Sequence, residues 1–259
     1  MPSLRSSVGA ALLSLLLSSP ALANPLPTPA VQAAQDIFNT GVEAVYTPTP
    51  APFHIEAAAI ANPPALMTIT VINKHIAPVS TYHAHEAGGP TAVWGAAGAG
   101  TMAKGATASY ALPTGWAGNI AVVEYGGPRN IVGDESLIEA NFKKPDGYSV
   151  AVADVDVSYV NGFSVPIVCS CVGAGVVTGC NKNLWGLNSC ANDNGKGSCK
   201  NPLRSDQTAT AATPFFKPCQ GGAYTYVNDH NANSFGVCQS GRITCCIGTA
   251  CDRDPKQPN

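Results

Sequence analysis

Hydrophobic and polar residues alternate along much of the chain from Met67 onward. A period of two is typical of β-strands that have one face in a core. The pattern predicts seven strands: Met67–Asn73, Thr91–Trp94, Thr107–Ala111, Asn119–Tyr125, Ser136–Phe142, Ser149–Asp154 and Val155–Val160. Near the C-terminus, Ala223–Val227 and Arg242–Ile247 are candidates for strands that return to the same fold.

Turn-forming residues separate these segments, as in Gly88-Gly-Pro90, Pro113-Thr-Gly115 and Pro145-Asp-Gly147. Short strands spaced by roughly ten residues, with turn residues between them, are typical of a β-sandwich. No strong helical periodicity interrupts them, which disfavours a parallel α/β sheet. We therefore predict an all-β sandwich over residues 67–168.

The first 66 residues differ in composition from the predicted sandwich. Residues 1–23 contain Arg5, the apolar run Val8–Leu17 and the small-residue site Ala21-Leu-Ala23, which together are typical of a cleaved signal peptide. Residues 24–66 are rich in proline and alanine and predict an extended N-terminal arm. We expect a secreted protein, extracellular or associated with a cell wall, that has no membrane segment after cleavage.

All ten cysteines lie in the last 91 residues, and an even number in an exported chain predicts up to five disulfides. Their spacing lacks the paired pattern of zinc sites. Residues 169–219 have few aliphatic residues and predict a loop module held by disulfides, and residues 220–259 predict returning strands and a cysteine-rich tail. The cysteines are Cys169, Cys171, Cys180, Cys190, Cys199, Cys219, Cys238, Cys245, Cys246 and Cys251.

Composition excludes several classes of function. Charged residues make up 12% of the chain and the formal net charge is −2, without a basic block. A protein that binds nucleic acid through its phosphates needs clustered lysine and arginine, so we expect no nucleic-acid partner. The chain also lacks the phosphate-binding and serine-nucleophile motifs, and we expect no cofactor.

The segment from Asp156 to Pro166 resembles the signature of thaumatin-like proteins, the family of plant osmotins and their fungal relatives. Leu137-Ile-Glu139 lies where that family has an L-A-E-F motif, and the chain from Cys219 to Cys238 is similar to a further family block. The resemblance covers residues 67 to 251 and implies a thaumatin-like β-sandwich with a disulfide-rich loop module. By analogy it implies the pairings Cys171–Cys219, Cys169–Cys238 and Cys180–Cys190.

Family members that act on fungi carry an acidic cleft, and the resemblance places two of its five charged positions on Glu139 and Asp156. Asn161, the stretch Gln220-Gly-Gly222 and Val123 stand where the family has the other three. The resemblance thus implies a cleft that binds β-glucan-type polysaccharide without catalysis. The expected ligand-binding residues are Glu139, Asp156, Asn161, Tyr224 and Asp229.

Two alternatives remain open. Paired carboxyl groups also suit glycoside hydrolysis, so the chain could be a weak β-1,3-glucan hydrolase with Glu139 as acid and Asp156 as base. It could instead be an antigenic or effector-like protein that binds a host or cell-surface protein. In each case we expect a monomer.

Two further sets of residues could take part in ligand binding. His83-Ala-His85-Glu86 would place both imidazoles on one face of a strand, where His75 could join them around a metal, but we predict no metal site. Aromatic residues could stack on sugars or pack in the core. These are Trp94, Trp116, Trp185 and Tyr224.

Overall fold

Thirteen strands account for most of the regular structure of the described residues. The structure is a computed structural model that describes residues 60–95, 100–126 and 130–259. The predicted signal peptide and residues 24–59 of the predicted arm lie outside the described residues. The strands are β1 (Leu66–Asn73), β2 (Val79–His85), β3 (Trp94–Gly95), β4 (Gly100–Met102), β5 (Thr107–Pro113), β6 (Trp116–Glu124), β7 (Ser136–Lys143), β8 (Val152–Ser158), β9 (Gly162–Phe163), β10 (Ile167–Cys171), β11 (Gly175–Cys180), β12 (Cys199–Lys200) and β13 (Arg242–Ile247).

Helical structure is confined to short segments in the described part of the chain. One α-helix, α1, spans Leu184–Leu187, and two 3-10 turns span Lys217–Cys219 and His230–Ala232. Among the described residues, no helix is both long and apolar enough to cross a membrane.

The strands form two main sheets. Sheet A has the order β11-β10-β13-β1-β5-β3, and sheet B has the order β4-β2-β6-β7-β8. A third, two-stranded sheet joins β12 and β9. Neighbouring strands of sheets A and B are antiparallel, except that β1 and β13 run parallel.

One hydrophobic core contains side chains from both sheets. In β1, Met67, Ile69 and Val71 are buried, and the residues between them are half-exposed. Ile138 and Val155 bring the inner face of sheet B into the same cluster. The predicted all-β, disulfide-rich fold is confirmed.

Strand positions differ from the sequence prediction in the first half of the fold. The two strands predicted over Ser149–Asp154 and Val155–Val160 are the single strand β8. The alternation pattern does not predict β2, and the strand predicted over Thr91–Trp94 is reduced to the two residues of β3.

Two further differences concern the second half of the fold. Ala223–Val227 forms no strand, although Tyr224 makes an isolated bridge to Ser158. The expected boundary between sandwich and loop module, at residues 168 and 169, lies within β10. The cysteine-rich part of the chain thus contributes a strand to sheet A.

All ten cysteines form disulfides, as predicted, but the three pairings expected by analogy are wrong. Strand register explains the difference, because β10 and β13 place Cys169 directly opposite Cys245. The five pairs are Cys169–Cys245, Cys171–Cys238, Cys180–Cys219, Cys190–Cys199 and Cys246–Cys251.

Candidate functional site

Glu139 and Asp156, the two carboxyl groups expected to share a site, are cross-strand neighbours. Glu139 of β7 pairs with Asp156 of β8. Such partners point to the same face of a sheet, with Cβ atoms about 4.5–5.5 Å apart. Asp154 lies two residues before Asp156 and therefore on the same face, opposite Asn141. Asn119 of β6 pairs with Glu139 on its other side. We call Glu139, Asp154 and Asp156 the carboxyl row.

The carboxyl row is buried. Glu139 and Asp154 are each 2% exposed, and Asp156 is 1% exposed. Burial raises the pKa of Glu139 to about 8, and the nearby Ser158 hydroxyl lowers it by less. Neither oxygen of Glu139 has a well-oriented hydrogen bond to a described residue. Burial is also the main cause of the raised pKa values of Asp154 and Asp156, and repulsion from Asp154 raises that of Asp156 further. Glu139 is thus predominantly protonated at pH 7.

Residues 224–234 pack against the β8 end of the row. The backbone N–H of Tyr224 donates to the carbonyl of Val157 over 2.9 Å. The backbone N–H of Ser234 donates to the Asp156 carboxyl over 3.0 Å, and the Ser234 hydroxyl donates to the carbonyl of Val155. A sugar could reach Asp156 only if this segment moved.

The other residues expected to bind ligand have structural contacts. Tyr224 is 1% exposed, so its ring does not face solvent. Asp229 is buried and accepts hydrogen bonds from the backbone N–H groups of Gly221 and Thr225 and from the Thr225 hydroxyl. Asn161 is half-buried, and its carbonyl accepts a hydrogen bond from the backbone of Asn201.

An open pocket lies between the two sheets, near the start of β6. Its volume is about 110 Å³. The floor and walls include Ile69 and Leu112 of sheet A and His83, Trp116 and Ile120 of sheet B. The remaining lining residues are Ala84, His85, Thr91, Ala92, Tyr110 and Asn119. His85 and Thr91 are exposed, so the pocket opens to solvent on their side.

Hydrogen bonding fixes the polar wall of the pocket. The Tyr110 hydroxyl lies 2.9 Å from Nε2 of His83, and the two rings pack edge to face with centroids 4.4 Å apart. Burial raises the pKa of Tyr110 to about 12, so its hydroxyl stays protonated at physiological pH. The wall therefore offers a neutral hydroxyl and an imidazole.

Local packing also explains the position of Trp116. A Cβ atom on Gly118 would lie 2.4 Å from the Ala84 carbonyl oxygen and 2.4 Å from a ring atom of Trp116. Only glycine allows the indole ring to lie so close to the strand. Trp116 is 7% exposed and belongs to the core cluster.

The histidines considered as metal ligands have different surroundings. His75 lies 3.0 Å from a carboxylate oxygen of Glu124, and Glu86 pairs with Lys143. His83 and His85 both line the pocket. Within residues 60–95, 100–126 and 130–259, no group of three or more histidine, cysteine or acidic side chains could hold a metal ion.

One predicted stacking residue is exposed. Trp94 is 51% exposed in β3, and it follows the pocket-lining residue Ala92 by two positions. Trp185 is half-buried, and its indole N–H donates to the Ser164 carbonyl over 3.0 Å. The register of β3 and β5 pairs Trp94 with Ala111, so the Trp94 side chain lies on the face of sheet A opposite to Tyr110 and Leu112, away from the pocket.

Sequence reasoning missed the third carboxyl group and the pocket. Asp154 could have been found from its spacing, because residues two apart on a strand share a face. The sequence gives no comparable indication that Tyr110 lines a pocket, because its contact with His83 joins two different sheets. No protein-family model and no curated protein matches this chain.

Proposed function

We propose that this chain is a secreted, non-catalytic polysaccharide-binding protein of the thaumatin-like type. The open pocket, whose lining combines aromatic and aliphatic side chains with the Tyr110 hydroxyl and the His83 imidazole, is the observation that carries the proposal. Protein sites for sugars combine aromatic faces with a few polar groups, because a pyranose ring has both apolar and hydroxyl-bearing surfaces. Five disulfides support a role in an oxidising, extracellular setting.

The proposed binding surface differs from the carboxylate-lined cleft that the resemblance implies. The carboxyl row is at most 2% exposed, whereas the pocket opens to solvent. We therefore assign ligand contact to the pocket, and a structural role to Glu139 and Asp156.

One observation favours hydrolysis as a second candidate function. Glu139 has a pKa of about 8, as a general acid requires, and it lies opposite a second carboxyl group. Hydrolysis also needs substrate and water at both groups. Burial of the row opposes this role, so we place it second.

Retention on insoluble polysaccharides tests the proposal. The purified protein is incubated with curdlan (a β-1,3-glucan), cellulose and chitin, and bound protein is measured after washing. We expect retention on at least one of them, and at least a fivefold loss with Thr91→Arg, because a long side chain at this exposed lining position would obstruct the pocket. Thr101→Arg is the matched control, because Thr101 is also exposed but does not line the pocket.

Retention on none of the three polymers would contradict the proposal. Release of reducing sugar from laminarin, abolished by Glu139→Gln, would favour the hydrolase instead. Retention that survives Thr91→Arg but is lost with Asp156→Asn would return the binding site to the carboxyl row.

A further inference from the structure

We propose that the pocket accepts the acetamido group of an N-acetylated hexosamine, so that the polysaccharide is of the chitin type rather than a glucan. This inference rests on the proposed function and names the substrate class of the same site. It is carried by the size of the pocket, its aliphatic lining residues and the Tyr110 hydroxyl in its wall.

The size of the pocket limits what can enter. An apolar cavity of about 150 Å³ in another protein holds one benzene molecule. The pocket here has about 110 Å³, which is too little for a complete pyranose ring. A substituent of the ring can enter, while the ring itself stays at the mouth.

The floor selects an apolar end on that substituent. Ile69, Leu112 and Ile120 are each less than 5% exposed and line the pocket. A methyl group placed against them is stabilised by its removal from water. A glucan offers hydroxyl and hydroxymethyl groups instead, and these would lose water without gaining hydrogen bonds at such a floor.

The polar atom of the wall is the Tyr110 hydroxyl, which lies 2.9 Å from Nε2 of His83. According to the tautomer of His83, this hydroxyl can donate a hydrogen bond to a ligand or accept one from it. An acetamido group has both an N–H and a carbonyl, so it can bond to the hydroxyl in either case. Among the described residues, no aspartate or glutamate lines the pocket, so an ammonium group on the sugar would enter without a counter-charge from its walls.

Three trisaccharides with the same β-1,4 linkage test the inference. They are triacetylchitotriose, the fully deacetylated chitosan trimer and cellotriose, and binding is measured by isothermal titration calorimetry at pH 7. We expect triacetylchitotriose to bind at least tenfold more tightly than the other two. In saturation-transfer NMR with the native protein, the acetyl methyl signals should receive the largest fraction of the transferred magnetisation.

Tyr110→Phe removes the hydroxyl and keeps the ring, so we expect at least a fivefold loss of affinity for triacetylchitotriose. Tyr82→Phe is the matched control, because Tyr82 lies on the opposite face of β2 from His83 and should leave binding unchanged. Thermal melting of both variants checks that they are folded.

The outcomes separate this inference from the proposed function. Equal or tighter binding of cellotriose, or retention on curdlan but not on chitin, would overturn the acetamido assignment and leave polysaccharide binding intact. Weak saturation of the acetyl methyl groups in a bound trimer would also overturn it. If no polysaccharide binds, the proposed function itself fails.

Discussion

The three carboxyl groups of the carboxyl row are buried, and none of them forms an ion pair with another described residue. Acidic side chains are almost never fully buried unless they are paired. Here the alternative is protonation, since a neutral carboxyl group avoids the cost of burying a charge. Glu139, with a pKa of about 8, takes this course at neutral pH.

Packing around Gly118 depends on the absence of a side chain at this position. In Gly118→Ala, the new methyl group would meet the Ala84 carbonyl oxygen and the Trp116 ring, so the indole must move or the strands must separate. We expect a loss of about 1–3 kcal/mol in the free energy of unfolding, measured by urea titration. Gly100→Ala is the control, because its nearest neighbour would lie 3.8 Å away. A Gly118→Ala variant as stable as the parent would show that Trp116 is not held in this position.

Alternation is sufficient to predict a strand where one face is apolar, as in β1. It is not sufficient for β2, because Tyr82, His83 and His85 give this strand a polar appearance although two of them line a pocket. In β10 and β11, glycine and cysteine residues likewise interrupt the alternation of hydrophobic and polar residues. The pairing of these two strands is also irregular between Cys169 and Ser170.

The candidate site was harder to predict than the strands. The sequence indicates that Glu139 and Asp156 lie on neighbouring strands, and the register agrees. Their burial depends on residues 224–234, which return to β8 from far along the chain. Such a contact leaves no local pattern. Disulfide pairing is equally non-local, because it follows from the register of β10 against β13.

The disulfides should differ in how much each one adds to the free energy of unfolding, because they close loops of different length. Cys180–Cys219 spans 39 residues, and Cys190–Cys199, which lies inside it, spans 9. Loop-closure entropy predicts about 3–4 kcal/mol for the first and about 2–3 kcal/mol for the second. We expect the double variant Cys180→Ala/Cys219→Ala to be less stable than Cys190→Ala/Cys199→Ala in guanidinium titrations. The opposite order would mean that local strain outweighs chain entropy here.

For the whole molecule, the carboxyl row predicts that stability falls as pH rises. Glu139 has its pKa raised from 4.5 to about 8, so the folded protein holds a proton that the unfolded chain releases. The stabilisation is complete below about pH 4.5 and is lost as pH approaches 8, by roughly 2–4 kcal/mol. Asp154 and Asp156, whose pKa values are also raised, act in the same direction.

Urea titrations at pH 5 and pH 8 would measure this loss. Glu139→Gln cannot ionise and should lose less stability between the two pH values than the parent protein. Glu86→Gln is the control, because Glu86 forms only a surface pair with Lys143 and such pairs contribute about 0–1 kcal/mol. Equal stability of the parent at both pH values would contradict the assigned protonation.

Strand β13 has a consequence for biosynthesis. It lies between β1 and β10 in sheet A, yet it begins only at Arg242. While the nascent chain emerges from the ribosome, β1 has β5 on one side and an empty place on the other. Final closure of sheet A must therefore await the synthesis of β13, and a holding chaperone would protect the open edge until then.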